Sequence, residues 1–283
     1  MPNWRSVSWL VGAALVGSLG CSGAQVRGFK RDRVCLVLSI GAADGLAHLG
    51  AIAALQEAKF HPQCVYGNSM GAVVGALYAD APSADPVERY RRLIALYAAL
   101  AHTEWEEKTL LEKAWCFLTD TTPKAMNIKR FAQALEKILH AKNIQDTAIT
   151  FVTAHQQVTQ TGVTHQNMRH GPLAELVAAS ANNLLIFGDP IEQGAKIDPG
   201  SDRLAKVPVV DACEAFPDAH LLVVNVTGEP AFTNGVTCPF TEIRIAPRVW
   251  QKAEFEEAFA GKGVVFDEVV AKGRAAMAKG VRY

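Results

Sequence analysis

The sequence predicts an α/β domain: a central, mostly parallel sheet flanked by helices. Three observations predict it. Two short, continuous apolar runs bounded by turn residues, VCLVLSI from Val34 and CVYG from Cys64, read as strands buried on both faces. Each run is followed within a few residues by a segment with helical spacing. Strand, helix, strand, helix in such close succession calls for crossover helices on a parallel sheet.

Element by element, VCLVLSI leads into a glycine-containing turn, GAADG, and then into LAHLGAIAALQEAKF, with apolar residues at Leu46, Leu49, Ile52 and Leu55. The strand CVYG precedes a helix from Met70 to about Asp80. Asp85 caps a further helix with Pro86 in its first turn, and another begins after Asn127. Strand-like runs return at AITFVTAH, HLLVVNV and TEIRIAP, with helices over GPLAELVAASA and FDEVVAKGRAAMAKG. No segment repeats or is of low complexity, so residues 34–283 read as one domain.

Residues 1–21 are set apart from that domain, and 22–33 read as a polar, basic linker. One Arg, then an apolar run from Trp9 to about Gly20, then Cys21 has the anatomy of an export signal. The run is short for a span of about 20 apolar residues, which favours a removed or lipidated segment over a permanent helix. Small residues before a cysteine resemble the lipobox of bacterial lipoproteins: Gly20 fits, while Leu19 and Ser18 are swapped relative to the usual order. The expectation is an exported protein held at a membrane surface by lipidation of Cys21. Plain export to the periplasm or medium, or a retained N-terminal helix, stays open.

Composition narrows the function classes. The 283 residues are 49% hydrophobic and 20% charged, with 28 basic and 28 acidic side chains, so no basic surface offers phosphates a counterion-releasing face. Nucleic acid is not an expected partner. Beyond Cys21, the cysteines at 35, 64, 116, 213 and 238 include no C-x-x-C pair. No metal, no cofactor and at most one disulfide are expected.

The chemistry lies in VYGNSMGAVVGALYA. Gly67 and Gly71 flank Ser69 in a G-x-S-x-G pattern, directly after an apolar run and before a small-residue helix. A sharp strand-to-helix turn presents a serine hydroxyl clear of the backbone, and the glycines relieve the crowding. From these residues alone Ser69 is either a nucleophile at an elbow or a small residue in a tight connection.

This stretch resembles the nucleophile segment of the patatin-like phospholipases, serine lipid acyl hydrolases. The resemblance extends to LVLSIGAADGLAHLGAIAAL about thirty residues earlier, to the alanine-serine pair of GPLAELVAASA, and to KIDPGSDRLAKVPVVDA in the place of an Asp-Gly-Gly or Asp-Gly-Ala signature. It implies a single patatin-like domain with the elbow after a short strand, and a Ser-Asp dyad. Ser69 is then the nucleophile that forms an acyl-enzyme on a lipid ester or phospholipid, and Asp198 is its general base. For that role Asp198 needs partial desolvation to raise its proton affinity. Read without the family, Asp198 is a turn aspartate in DPGSD.

The family's oxyanion turn reads Gly-Gly-Gly, a small residue, Arg, Gly; here Ile40, Gly41, Ala42, Ala43, Asp44 and Gly45 hold those places. Ile40 and Ala42 resist the positive φ that glycine permits. Asp44 replaces the arginine, and a carboxylate about 5 Å from an oxyanion at an effective dielectric near 20 would cost roughly 3 kcal/mol, about a hundredfold in rate. Solvation or helix capping by Asp44 would shrink that cost. Pro199, in place of a glycine, deletes a donor beside Asp198.

Two readings therefore compete: a serine lipid acyl hydrolase, and a catalytically weakened relative acting as a lipid-binding or scaffold module. A Ser-Asp-His triad would need His220, but that residue opens HLLVVNV, about 15 Å or more from the elbow's end of a parallel sheet. His48 reads as packed on a helix face. GAADG lacks the spacing and the lysine of a nucleotide-binding loop. The aromatics between Trp105 and Phe117 fit either a lipid-touching rim or core packing.

Overall fold

The computed structural model describes residues 33–106, 127–183, 187 and 194–280. Cys21 with its signal segment, Cys116 and the side chains of the Trp105–Phe117 stretch lie outside the described residues. No described helix is long and apolar enough to cross a membrane.

Strand β1 (Val34–Leu38) is followed by a 3-10 turn over Ala42–Leu46 and helix α1 (Ala47–Glu57). Strand β2 (Cys64–Gly67) feeds α2 (Met70–Asp80), then α3 (Pro86–Glu106) and α4 (Ile128–Ile138). Next come β3 (Thr150–Thr159), β4 (Gly162–Met168), α5 (Leu173–Ala181) and the two-residue β5 (Lys196–Ile197). Short helices α6 (Arg203–Lys206) and α7 (Val209–Ala215) precede β6 (His220–Asn225), β7 (Phe240–Arg244), α8 (Lys252–Phe259) and α9 (Gly263–Gly280).

The sheet runs β4-β3-β2-β1-β6-β7, parallel from β3 to β7. Its centre is buried on both faces because its residues alternate between two apolar layers. Leu36 and Leu38 of β1 join the large core under α1 and α2, while Cys35 and Val37 join the smaller core that α7 closes with Ala212 and Cys213. This is the expected mostly parallel α/β architecture, with a strand-turn-helix at residue 69.

One overhang positions the site. β2 pairs with β3 only as far as Gly67↔Thr153, and β3 continues six residues further. β4 occupies one edge of that extension; β5 therefore takes the other, in line with β2, with Ile197 opposite Gln156. β5 runs antiparallel to β3, so the chain leaving it at Asp198 heads straight for the end of β2 and the serine turn.

Three features depart from the sequence expectation. β4 is largely exposed and its GVTHQNM lacks apolar alternation, so it carries no strand signal. β5 is too short to carry one. There are also two disulfides among the described residues, where at most one is expected. Cys35 and Cys64 are register partners on adjacent strands, and Cys213 of α7 joins Cys238 ahead of β7. The apolar surroundings of Cys35, Cys64 and Cys213 suit a small hydrophobe, whereas strand register, which is not local, brings the first pair together.

Candidate active site

Ser69 has φ 55 and ψ −126, in the left-handed region that a non-glycine residue enters at a cost of roughly 1–3 kcal/mol. The surroundings enforce it. The Asn68 side chain is clamped on both ends, Nδ2 donating to the Ala205 carbonyl at 3.0 Å and Oδ1 accepting from Ala154 N–H at 3.2 Å. The Ser69 N–H donates to Ser180 Oγ on α5 at 3.1 Å, which anchors the turn from the helix side. Both anchors are fully buried polar side chains. The sequence shows Asn68 only as a member of the motif and Ser180 only as the serine of GPLAELVAASA, and gives no hint of these bonds.

Gly71 is required by close approach: a Cβ there would sit 2.5 Å from the Leu38 carbonyl oxygen and 2.6 Å from that of Ser39. A Cβ on Gly67 would strike the backbone of Gly71 itself. Gly71→Ala is thus expected to lower stability by roughly 1–3 kcal/mol through overpacking. Urea unfolding of wild type and variant measures it; equal midpoints would mean that the turn does not need this glycine.

Asp198 does two things at once. Its Oδ1 accepts from Gly200 N–H at 2.7 Å, capping the 3-10 turn Pro199–Ser201, so the turn-aspartate reading is correct as far as it goes. Its backbone N–H donates to the Asn182 carbonyl at 3.0 Å. The second oxygen, Oδ2, is buried and has no hydrogen-bond partner of standard geometry among the described residues. The Ser69 hydroxyl lies close enough to favour the ionised carboxyl as a hydrogen-bond donor, so the approach is loose rather than closed, as catalytic contacts often are without substrate. Burial is the larger influence, and the Asp198 pKa is pushed up from 3.8 to about 6. Both Ser69 and Asp198 are only 8% exposed.

The turn over residues 40–45 needs two corrections. Ile40 cannot serve as an oxyanion donor, because its N–H donates to the Lys206 carbonyl at 3.0 Å. Among the described residues no hydrogen bond occupies the Gly41 and Ala42 amides, and the first N–H of α2, at Met70, has no intrahelical partner. Ala42 has φ 44, so the backbone adopts the glycine-like conformation despite its methyl group. Asp44 is half-buried, does not cap α1, and turns both carboxylate oxygens to the segment over residues 248–250. Oδ1 accepts from Arg248 N–H and Oδ2 from Trp250 Nε1–H, each at 2.9 Å, on the far side of the turn. Two neutral N–H donors stand in for water around the carboxylate, which lowers the cost expected of it. Gly45 N–H closes the turn on the Gly41 carbonyl at 3.2 Å.

Neither histidine considered from the sequence enters the site. His220 pairs with Val34 at the sheet's N-terminal edge, with Nε2 against Thr241 Oγ1 at 2.9 Å. His48 is fully buried, and its Nε2–H donates to the Ser39 carbonyl at 2.9 Å, steadying the start of the turn. Burial pushes its pKa down to about 4, so it is neutral there. A third histidine, His155 of β3, carries no signal in the sequence that marks it. The β3–β5 register carried one residue further sets it opposite Asp198, it is fully buried, and burial pushes it down to about 4 as well. Among the described residues no three His, Cys, Asp or Glu converge to hold a metal ion.

The family model described as Patatin-like phospholipase matches residues 36–215, more than half of the chain. An NTE family protein of Mycobacterium tuberculosis is 47% identical over 55 residues, 19% of this chain and 15% of that protein. Patatin-like phospholipase domain-containing protein 6 of Homo sapiens is 26% identical over 129 residues, 45% of this chain and 9% of its own length. The chain thus spans less than a fifth of these curated relatives. Among solved structures, VipD from Legionella pneumophila aligns over 88% of this chain and 66% of its own at 13% identity and a TM-score of 0.40.

Proposed function

The chain belongs to the patatin-like phospholipase family, and from that premise we propose that it is a serine lipid acyl hydrolase working through Ser69 and Asp198. The observation that carries this reading is the divided Asp198 carboxyl. One oxygen is held by Gly200 and the other is buried without a hydrogen-bond partner of standard geometry, while the hydroxyl of a serine strained at a strand-to-helix elbow lies close to the carboxyl. Asp198 Oδ2 takes the Ser69 proton as Oγ bonds to the ester carbonyl carbon, and the carbonyl oxygen becomes an oxyanion between the Gly41, Ala42 and Met70 amides. The oxyanion collapses, the C–O bond to the alcohol breaks, and Asp198 returns the proton to the departing oxygen. Water then gives a proton to Asp198 and its oxygen to the acyl carbon; the bond to Ser69 Oγ breaks, Asp198 passes that proton to Oγ, and a carboxylic acid leaves with both residues restored. A base of pKa near 6 is better matched to neutral pH than an ordinary carboxylate.

A fluorophosphonate probe tests the reading: wild type is expected to label at Ser69 and Ser69→Ala is not. The loss of turnover should reach at least about 10⁴-fold. Absence of labelling in folded wild type would leave the second reading, a lipid-binding or scaffold relative. The observation on that side is the turn itself, with the Ile40 amide committed to Lys206 and an alanine strained at Ala42. The Aspergillus fumigatus relative named lysophospholipase nte1, 48% identical over 59 residues, makes a lysophospholipid the first ester to try; the match spans 21% of this chain and 4% of that protein.

Export with lipidation of Cys21, and hence work at a membrane surface, is part of the same proposal. Two disulfides support it, since such bonds persist in oxidising compartments. Periplasmic or secreted release is the alternative.

A further inference from the structure

We propose that Trp250, with the backbone of Arg248, is a positioning residue for the 40–45 turn, acting through Asp44 as a latch between that turn and the C-terminal helices. This rests on the acyl-hydrolase reading for its catalytic consequence, though not for the contact itself.

A turn that holds Ala42 at φ 44 needs restraint from outside, because an isolated alanine would leave that region. Packing does not supply all of it. Behind the turn lies a cavity of about 290 Å³ whose walls include Asp44, Val226, Ile245 and Arg248. Two hydrogen bonds, from Arg248 and Trp250, hold Asp44 at the edge of that gap. Both Asp44 oxygens are occupied, one by Arg248 N–H and one by Trp250 Nε1–H, which fixes the carboxylate in position and orientation.

The far end of the latch is itself immobilised. The Arg248 guanidinium donates to Glu254 of α8 at 2.9 Å and to Glu268 of α9 at 3.0 Å, and lies 5.7 Å from the Trp250 ring centroid. Trp250 packs edge-on against Phe255, which stacks on Phe259 of α8. Val249 between them is 94% exposed, so the strand of chain is held by its two neighbours rather than by its own side chain. A surface loop 206 residues away in sequence from Asp44 thereby sets where the Gly41 and Ala42 amides point. The acidic residue at the arginine's place has its own donors, and this explains how the turn accommodates it.

Trp250→Phe removes the indole N–H and keeps an aromatic ring on Phe255; Asp44→Asn keeps the side-chain volume and loses the charge. Hydrogen exchange in the peptide spanning residues 39–46 is expected to quicken roughly tenfold in each variant, while the peptide over residues 64–80 is unchanged. The fluorophosphonate labelling rate should fall by roughly tenfold in each, with little change in KM for the ester, and the double variant should be no worse than either alone. Additive losses, or unchanged exchange over 39–46, would overturn the latch. If Trp250→Phe does not fold, Asp44→Asn carries both measurements. Exchange is read whether or not the protein is an enzyme, so a wild type that never labels would defeat the hydrolase reading and leave the latch to stand or fall on exchange.

Discussion

Asp198→Asn is expected to lower ester hydrolysis by roughly 10²–10⁴-fold while making the folded protein no less stable at neutral pH. The amide can still accept from Gly200 N–H and lie beside Ser69, so the turn keeps its shape; what it loses is the ability to take a proton. In wild type the same carboxyl should govern the acid limb of kcat/KM. With its pKa raised to about 6 by burial, activity is flat above about pH 7 and falls tenfold per unit below about pH 6, where an ordinary aspartate would hold activity down to about pH 4. The stability effect has the opposite sense. A carboxyl that binds its proton more tightly when folded favours folding below about pH 4, and that contribution disappears as the pH climbs through about 6. Above that, wild type buries an incompletely compensated charge that the Asn variant lacks. Thermal melts at pH 8 should therefore show the variant equal to or above wild type by up to about 3 kcal/mol, with the gap closing near pH 4. A variant that keeps full activity, or an acid limb near pH 4, would make Asp198 a turn residue only.

The legible part of this site is its local part. Gly67, Ser69 and Gly71 declare an elbow because a strand end, a tight turn and a helix start all lie within a few residues, and the steric need for small side chains is written at fixed spacing. The two-layered burial of β1 is legible for the same reason, since every residue of VCLVL is apolar. Asp198 is different. Resemblance points to it, but the physical reason for its position is the overhang of β3 beyond β2, filled by a two-residue strand that no periodicity can announce. From the sequence Asp44 reads as a liability because its partners, at Arg248 and Trp250, are invisible from its neighbourhood in the chain. The commitment of the Ile40 amide to Lys206 and of Ser180 to Ser69 N–H are likewise contacts between segments far apart in sequence. Such bonds decide which amides are left for chemistry, and they exist only once the sheet order is known.

Arg89→Met is expected to cost about 3–5 kcal/mol, the largest stability loss among the substitutions considered, because it strands a buried carboxylate at the far end of the helix that begins after Ser69. Asp80 closes α2 with a side chain 1% exposed. Its Oδ2 meets Arg89 Nη2 of α3 at 2.7 Å, and its Oδ1 accepts from His140 N–H at 3.0 Å and Ala141 N–H at 2.8 Å. Arg89 also donates to the Leu77 and Ile138 carbonyls, so one guanidinium ties α2, α3 and the end of α4 together. Burial alone would raise the Asp80 pKa; the bonds from Ala141, Arg89 and His140 outweigh it and hold the carboxyl below its ordinary 3.8. A depressed pKa contributes stability that is present above about pH 4 and lost as the pH falls through the folded value. The deficit of the Met variant should accordingly be full at pH 7 and shrink on acidification below about pH 4, where a protonated Asp80 no longer calls for a cation. Urea unfolding at pH 7 and pH 3.5 measures both ends, and a deficit independent of pH would assign the loss to packing of the Arg89 stem instead. In the cold, where the variant remains folded, Ser69 should label at the wild-type rate: the ion pair holds α2 at its C-terminal end, whereas the elbow at its other end is held by Asn68 and Ser180.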